Sequence, residues 1–344
     1  MKNYTFSNRE IGAYCESLSA ILEGGISCEE AVIMMCDNND KETNEIAQVI
    51  NDNFTFSLTD SLKKAGVFPD YMVNMTEAGE TSGKLSDVLG GLSSYFTNMD
   101  EAEVMVKKSI LYPTVALFVL SGLVLLMAVK VLPIFSSVYD SLAGEMAVEN
   151  RLYVNFAVIS SWVIFSLTAL SAVLMAAFEI MWRRVSLRPR LTNIVRKIPM
   201  VSRCIKEREL ASFTSLYSTY ISGAVETETA FENSIIAATD KELLQKLTEC
   251  QAKISAGSSF PEAAYKTNLY ISAYGRILLA GEKTGREAEE LEYIAQKQWQ
   301  LSREKLEEVT GSIEPILSAV ITASVGVILV SVMLPLIGIL NSIG

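Results

Sequence analysis

The chain has 344 residues, half of them hydrophobic, with 29 Lys and Arg against 40 Asp and Glu, five Cys and no His. Without histidine, Ser-His-Asp and Cys-His catalysis and most zinc sites are excluded. No two carboxylates stand out as a buried acid/base couple, and the net charge of −11 argues against nucleic acid as a partner. Neither an enzyme nor a cofactor-dependent protein is expected.

The first block, residues 1–108, carries 8 Lys and Arg against 18 Asp and Glu, which suits a basic protein partner. Its first 20 residues lack a continuous apolar core, so no signal peptide is expected. Helices are expected over 8–23, 28–37, 41–53, 57–65, 70–78 and 83–108. Breakers fall between them at Gly24-Gly25, Asp37–Asp40, Gly66 and Pro69. Then come Ser109–Val129 with no charge for 21 residues, Phe156–Phe178 with none for 23, and, after a second polar block, Pro315–Gly344 with none for 30. A bilayer core about 30 Å thick needs roughly 20 apolar helical residues, so each run predicts a span.

Positive charge sets the orientation. Arg183, Arg184, Arg188, Arg190, Arg196 and Lys197 follow the second run and Lys107 and Lys108 precede the first, whereas 133–154 holds Asp140, Glu145 and Glu149 with only Arg151. The expected order is a cytoplasmic domain 1–108, a span 109–132, an external loop 133–154, a span 155–181, a second cytoplasmic domain 182–314 and a span 315–340. The N-terminus is then cytoplasmic and the C-terminus outside. The second block carries 19 Lys and Arg against 18 Asp and Glu, with helices expected over 207–222, 227–238, 240–256, 260–266, 269–280 and 285–314. Capping boxes at Ser7…Glu10, Ser27…Glu30, Ser259…Glu262 and Thr284…Glu287 support helix starts, and no sustained period-two alternation occurs. The fold is expected to be all-α, with two homologous cytoplasmic bundles of about six helices each and three transmembrane helices. The five cysteines all fall in the polar blocks and are expected to be free thiols.

The blocks are copies. Gly79-Glu80-Thr81-Ser82-Gly83 recurs as Gly281-Glu282-Lys283-Thr284-Gly285, Tyr112-Pro113 as Glu314-Pro315, and Pro133 as Pro335, all 202 residues apart. Gly24-Gly25-Ile26 matches Gly223-Ala224-Val225 at a shift of 199, so three residues have been gained between them. Two copies that both run from cytoplasm to outside need one extra crossing between them, which 155–181 supplies.

The Gly-Glu-x-Ser/Thr-Gly segment is expected to be a helix-to-helix corner. Gly79 would end one helix with a positive φ, Ser82 or Thr284 would cap the next, and Gly83 or Gly285 would permit close approach. Glu80 and Glu282 would lie near a positive helix N-terminus, holding the corner or meeting a partner. The segment is not a P-loop, because three residues rather than four separate its glycines and Leu85 follows Lys84. Pro113 and Pro315 are expected to start or kink spans one and three, and Pro133 and Pro335 to do so at their far ends. Ser318, Thr322 and Gly326 form a small-residue face suited to helix packing or dimerisation.

These landmarks, in duplicated order over nearly the whole chain, resemble the type II secretion F family, which includes GspF and PilC proteins. The resemblance implies a bacterial inner-membrane platform with no activity of its own, in a type IV pilus, competence or type II secretion system. It further implies a cytoplasmic hexameric assembly ATPase, pilin or pseudopilin subunits and other inner-membrane assembly proteins as partners, while the duplicated domains and the small-residue span face point to a homodimer or higher homo-oligomer. Two other readings are a transporter or channel component, which needs a polar route that three spans and Lys130 hardly offer, and a membrane-anchored signalling module, for which the external loop is small.

Overall fold

The computed structural model describes residues 6–36, 41–131, 133–134, 137, 159, 162–177, 199–312, 315–316, 318–327, 329–330 and 333, and all regular structure among them is helical. The helices of the first block are α1 (Asn8–Glu23), α2 (Cys28–Cys36), α3 (Lys41–Asn53), α4 (Leu58–Ala65), α5 (Asp70–Ser82) and α6 (Leu85–Leu126), which widens into a π-helical turn at Met127–Val131. After α7 (Trp162–Ala177) come α8 (Pro199–Ser222), α9 (Thr227–Ser234) with a 3-10 turn at Ile235–Ala237, α10 (Lys241–Ser255), α11 (Phe260–Lys266), α12 (Ser272–Thr284) and α13 (Glu287–Gly311). The last is α14 (Ser318–Val327).

The duplication is visible in the helix ends. Starts at Leu58, Asp70 and Leu85 recur at Phe260, Ser272 and Glu287, a shift of 202, whereas Cys28 recurs at Thr227, a shift of 199. The three extra residues therefore enter between the second and fourth helices, where the second copy adds its 3-10 turn and a longer third helix. Ser7 makes the full capping box expected of it, its hydroxyl taking the Glu10 amide at 3.3 Å while its own amide donates to Glu10 Oε2 at 2.7 Å. Ser27 and Ser259 cap Glu30 and Glu262 at 3.3 and 3.4 Å. Thr284 does not cap: it is the last residue of α12, and its hydroxyl donates back to the Ala280 and Gly281 carbonyls at 3.1 Å.

Two compact units emerge. One takes Met1–Val104 with Ile198–Leu306, the other Met105–Lys197 with Glu307–Gly344. The two polar blocks thus fall in one unit, and one buried apolar cluster runs through both. The centre of that unit is α8, in which every residue from Glu209 to Tyr220 is buried. One face is aromatic. Phe213 and Tyr217 stack at 6.0 Å, and Phe260 lies 4.2 Å from Tyr217 with Phe231 edge-on to Phe213 at 5.3 Å. Each such pair contributes about 0.5–1.5 kcal/mol beyond its burial. The other face is Ser212, Ser215, Ser218 and Thr219, small hydroxyls that bring α8 against the first copy. Thr219 returns its hydroxyl to the Ser215 carbonyl at 2.9 Å, which leaves its bonding satisfied without water. A Cβ on Gly91 of α6 would stand 2.5 Å from Thr219 Oγ1 and 2.8 Å from its methyl.

Further contacts tie the copies together inside this unit. Tyr95 meets Trp299 edge-on at 6.3 Å. Arg303 donates to Asn98 at 3.2 Å and pairs with Glu101, the residue 202 positions before it. At this pair, equivalent positions of the two copies face each other.

The other unit has the opposite polarity. Leu117 and Ala172 are buried together, with Ala116, Met175 and Ile321 against them, so α6, α7 and α14 touch. Thr114, Ser121, Thr168 and Ser324 are buried, while Val119, Leu123, Leu167, Leu174 and Leu329 are exposed. The segment Leu85–Val131 is long and apolar enough to cross a membrane; α7 and α14 are shorter among the described residues. Pro113 lies inside α6 rather than at a helix start and is buried. Pro133 and Pro315 are helical and exposed, and Pro335, like most of 133–154, lies outside the described residues. Ser318, Thr322 and Gly326 are exposed, and the hydroxyl that is buried in α14 is Ser324. The expected run 285–314 stops at Gly311 with a turn at Ser312, a glycine being a poor helix interior, whereas α6 continues unbroken past Lys107 and Lys108.

Gly91→Ala is expected to lower the stability of the first unit by about 1–3 kcal/mol, the usual cost of overpacking. Thr219→Ala should recover part of that loss in the double variant. Thermal melts of the four proteins measure the coupling, and purely additive effects would contradict the contact.

Candidate functional site

The duplicated corner is a helix C-terminus, built identically in both copies. Gly83 ends α5 with φ 72° and Gly285 ends α12 with φ 70°. In the first copy the Lys84 amide donates to the Gly79 carbonyl at 2.9 Å and the Gly83 amide to the Glu80 carbonyl at 3.4 Å. In the second, Arg286 donates to Gly281 at 2.8 Å and Gly285 to Glu282 at 3.3 Å. This paired pattern is a Schellman cap, which satisfies the orphan carbonyls of the helix end and needs the left-handed residue that glycine supplies. The expected glycine roles are thus exchanged. The second glycine takes the positive φ, and the first allows the close approach. A Cβ on Gly79 would stand 3.0 Å from Val88 Cγ2, and one on Gly281 2.8 Å from Glu290 Cγ. Ser82 does not cap the next helix either, because its hydroxyl donates back to the Ala78 carbonyl at 2.8 Å. The hydroxyl position serves the helix it ends, so three of the five motif positions, the two glycines and the hydroxyl, are accounted for by the turn.

The carboxylates separate the copies. Glu80 lies at a helix N-terminus, but that of α4. Its Oε1 accepts from the Leu58 amide at 2.6 Å and its Oε2 from the Thr59 amide at 3.3 Å. It satisfies two donors that α4 leaves unpaired and sits at the positive end of that helix. In the second copy the residue matching Thr59 is Pro261, in the first turn of α11, which has no amide to give. Glu282 is exposed, and its carboxylate accepts no hydrogen bond among the described residues. Its charge is felt by Glu287, whose carboxyl is pushed up by burial first and by Glu282 second. Beside the first corner, burial and then the Glu80 charge push the Cys28 thiol up to about 11, and burial alone pushes Cys15 up to about 12, so neither is a ready thiolate.

The corner of the first copy also meets the turn of the second. Val88 Cγ2 would lie 3.0 Å from a Cβ on Gly79 and 3.0 Å from one on Gly223, so a single methyl fills the space both glycines leave. A groove of about 390 Å3 runs alongside, lined by Ala78, Thr81 and Ser82 on one wall and by Tyr220, Gly223 and Ala224 on the other. Ala224 holds φ 59°, a left-handed conformation in a residue with a side chain.

Sequence reading missed three participants. Gly91 and Val88 look like ordinary helix residues until the partner helix is known. Glu209 is buried inside α8 and accepts from the Thr239 and Asp240 amides at 2.8 and 2.7 Å, capping the approach to α10. A legible signal existed for the pairing of copies, since Glu101 and Arg303 are opposite charges one repeat apart.

The profile of the family described as Type II secretion system (T2SS), protein F matches residues 14–133 and again 213–335. The chain belongs to the type II secretion system protein F family. The two matched segments start 199 residues apart and end 202 apart, the same two shifts that relate the helices. The chain is 23% identical over 310 residues to the type IV pilus assembly protein PilC of Pseudomonas aeruginosa, covering 89% of this chain and 82% of that protein. It is 22% identical over 341 residues to PilC of Myxococcus xanthus, covering 97% and 81%. To the type II secretion system protein F of Vibrio cholerae it is 21% identical over 338 residues, covering 96% and 82%. Relatives named for pilus assembly and for secretion both span the full duplicated arrangement.

Glu80→Ala is expected to destabilise the protein by about 1–3 kcal/mol, the cost of leaving two helix-terminal donors unpaired. Glu282→Ala should change stability by less than about 0.5 kcal/mol, as for an exposed side chain. Denaturant unfolding of both variants tests this, and equal losses would contradict the asymmetry.

Proposed function

We propose that this protein is an assembly platform of a type IV pilus-like or type II secretion machine in a bacterial cytoplasmic membrane. It links a cytoplasmic hexameric ATPase to pilin or pseudopilin subunits and works beside other inner-membrane assembly proteins as a dimer or higher oligomer. The observation that carries the reading is the doubled family match, in register with the doubled corner and doubled helices. The polar unit is the cytoplasmic face, from which 1–108 and 182–314 lead to spans at 109–132 and 315–340, with 155–181 returning the chain. The polarity of the apolar unit supports a lipid setting, because Thr114, Ser121, Thr168 and Ser324 are buried while large aliphatic side chains such as Leu123, Leu167 and Leu329 are exposed. The duplicated corner contributes to coupling through Glu282, whose carboxylate is free to meet a partner, while Glu80 holds the fold. The role is structural rather than enzymatic.

Deleting the gene in the source bacterium should abolish filaments or secretion while the assembly ATPase still hydrolyses ATP, and Glu282→Ala should weaken assembly with normal protein levels. Normal filaments and secretion in the deletion strain would overturn the reading. Topology has its own check: a cysteine at Ser141 should react with a membrane-impermeant maleimide on intact cells, and the five native cysteines should not.

A further inference from the structure

The two copies differ at one place that the shared fold does not explain. In the first copy, the space between the first, fifth and sixth helices is filled by rings. Tyr71 stacks over Phe96 at 6.0 Å and meets Tyr95 edge-on at 5.7 Å, and Phe6 stacks on Phe68 at 5.7 Å. One repeat later, Tyr71 becomes Ala273, Phe6 becomes Ile205, Phe96 becomes Gln298 and Tyr95 becomes Lys297. Two rings are gone and two more are replaced by a carboxamide and an ammonium. Beside the last two of these positions lies a cleft of about 590 Å3, within the size range of ligand pockets, which Lys297 and Gln298 line.

Its lining is unlike a surface dent. Gln298 is 2% exposed and its Oε1 has no hydrogen-bond partner, a cost of about 1–3 kcal/mol that the aromatic residue of the first copy avoids. Lys246 and Lys297 stand on the rim. Lys246 donates to the Asn268 carbonyl at 2.9 Å and Lys297 to Gln300 at 3.3 Å, and neither is ion-paired among the described residues. The third lysine, Lys206, is paired with Glu242. Tyr293 and Ile271 are exposed apolar surface at the same cleft, 44% and 60% respectively. Glu207 faces in as well, its carboxyl pushed up by burial and drawn back by Lys206, Lys305 and Lys246, and Glu304 completes the wall.

We propose that this cleft of the second copy binds a peptide segment of a partner protein, through an aromatic side chain flanked by carboxylates. The aromatic ring packs against Tyr274 and the Gln298 carboxamide, as Tyr71 packs against Phe96 in the first copy. The flanking carboxylates pair with Lys246 and Lys297, and a peptide amide supplies the donor that Gln298 lacks. The first copy, filled by its own rings, does not bind. The proposal concerns a site apart from the duplicated corner and does not rest on the assembly role.

The test uses the purified full chain in detergent and three probes: acetyl-Asp-Tyr-Glu-amide, acetyl-Asn-Tyr-Gln-amide and acetyl-Asp-Ala-Glu-amide. Saturation-transfer NMR should show saturable binding of the first, with the other two weaker by at least about tenfold, the scale of one lost charge-assisted bond or one lost ring contact. Ala273→Tyr restores the arrangement of the first copy and should abolish binding without loss of stability. Lys297→Glu, at a half-buried rim position, should weaken binding of the acidic probe and leave the neutral one unchanged. No saturable binding of the acidic aromatic probe, equal binding of all three, or full binding by Ala273→Tyr and Lys297→Glu would each overturn the proposal.

Discussion

The polar unit depends on one helix being dry on every side. Residues 209–220 of α8 are all buried, and a helix can be so only if both of its faces find packing partners. The aromatic face supplies the core of its own copy. The hydroxyl face works because its side chains are small, and because Thr219 bonds back to the Ser215 carbonyl while the Ser212 hydroxyl donates to Met99 of the first copy. That surface lets Gly91 and Val88 of the other copy come close. Fusing the copies through a small-residue seam gives a close approach that large aliphatic residues would prevent, and it makes the unit one body rather than two bundles on a string.

The seam also explains why duplicated features have unequal fates. The corner is needed twice as a helix end, so both copies keep its glycines and its back-bonding hydroxyl. The first corner is pressed against the other copy, where Val88 fills the space left by Gly79 and Gly223. Its carboxylate is committed to the Leu58 and Thr59 amides. In the second copy Pro261 removes a donor and Glu282 faces solvent. A duplicated chain can thus hold one copy of a motif for folding and release the other for contact.

Much of this was legible in the sequence. The order of helices in both blocks, the repeat offsets and the Ser7 capping box follow from local spacing, because caps, glycines and apolar periodicity act within a few residues, whereas α5 and α12 run four residues past their expected ends at 78 and 280 and α8 starts at Pro199 rather than 207. The corner was located correctly and its glycines were given each other's roles. A positive φ and a close approach both favour glycine, and only the tertiary neighbour, Val88 or Glu290, tells which is which. The burial of α8 was not legible, because nothing in the spacing of Ser212, Ser215, Ser218 and Thr219 tells a hydroxyl packed on a second helix from one that faces water. Whether two blocks share a core is a property of surfaces that meet across about 200 residues of chain, which no local pattern carries. The pairing of Glu101 with Arg303 at the repeat period was the one long-range clue.

Native-state hydrogen exchange on the full chain tests the central claim, that the two copies form one cooperative body around α8. The slowest amides of α1, α6, α8 and α12 should open together at one free energy, and Gly91→Ala should lower all of them by the same amount. Separate opening free energies for the two copies, with Gly91→Ala affecting only the first, would contradict the shared core.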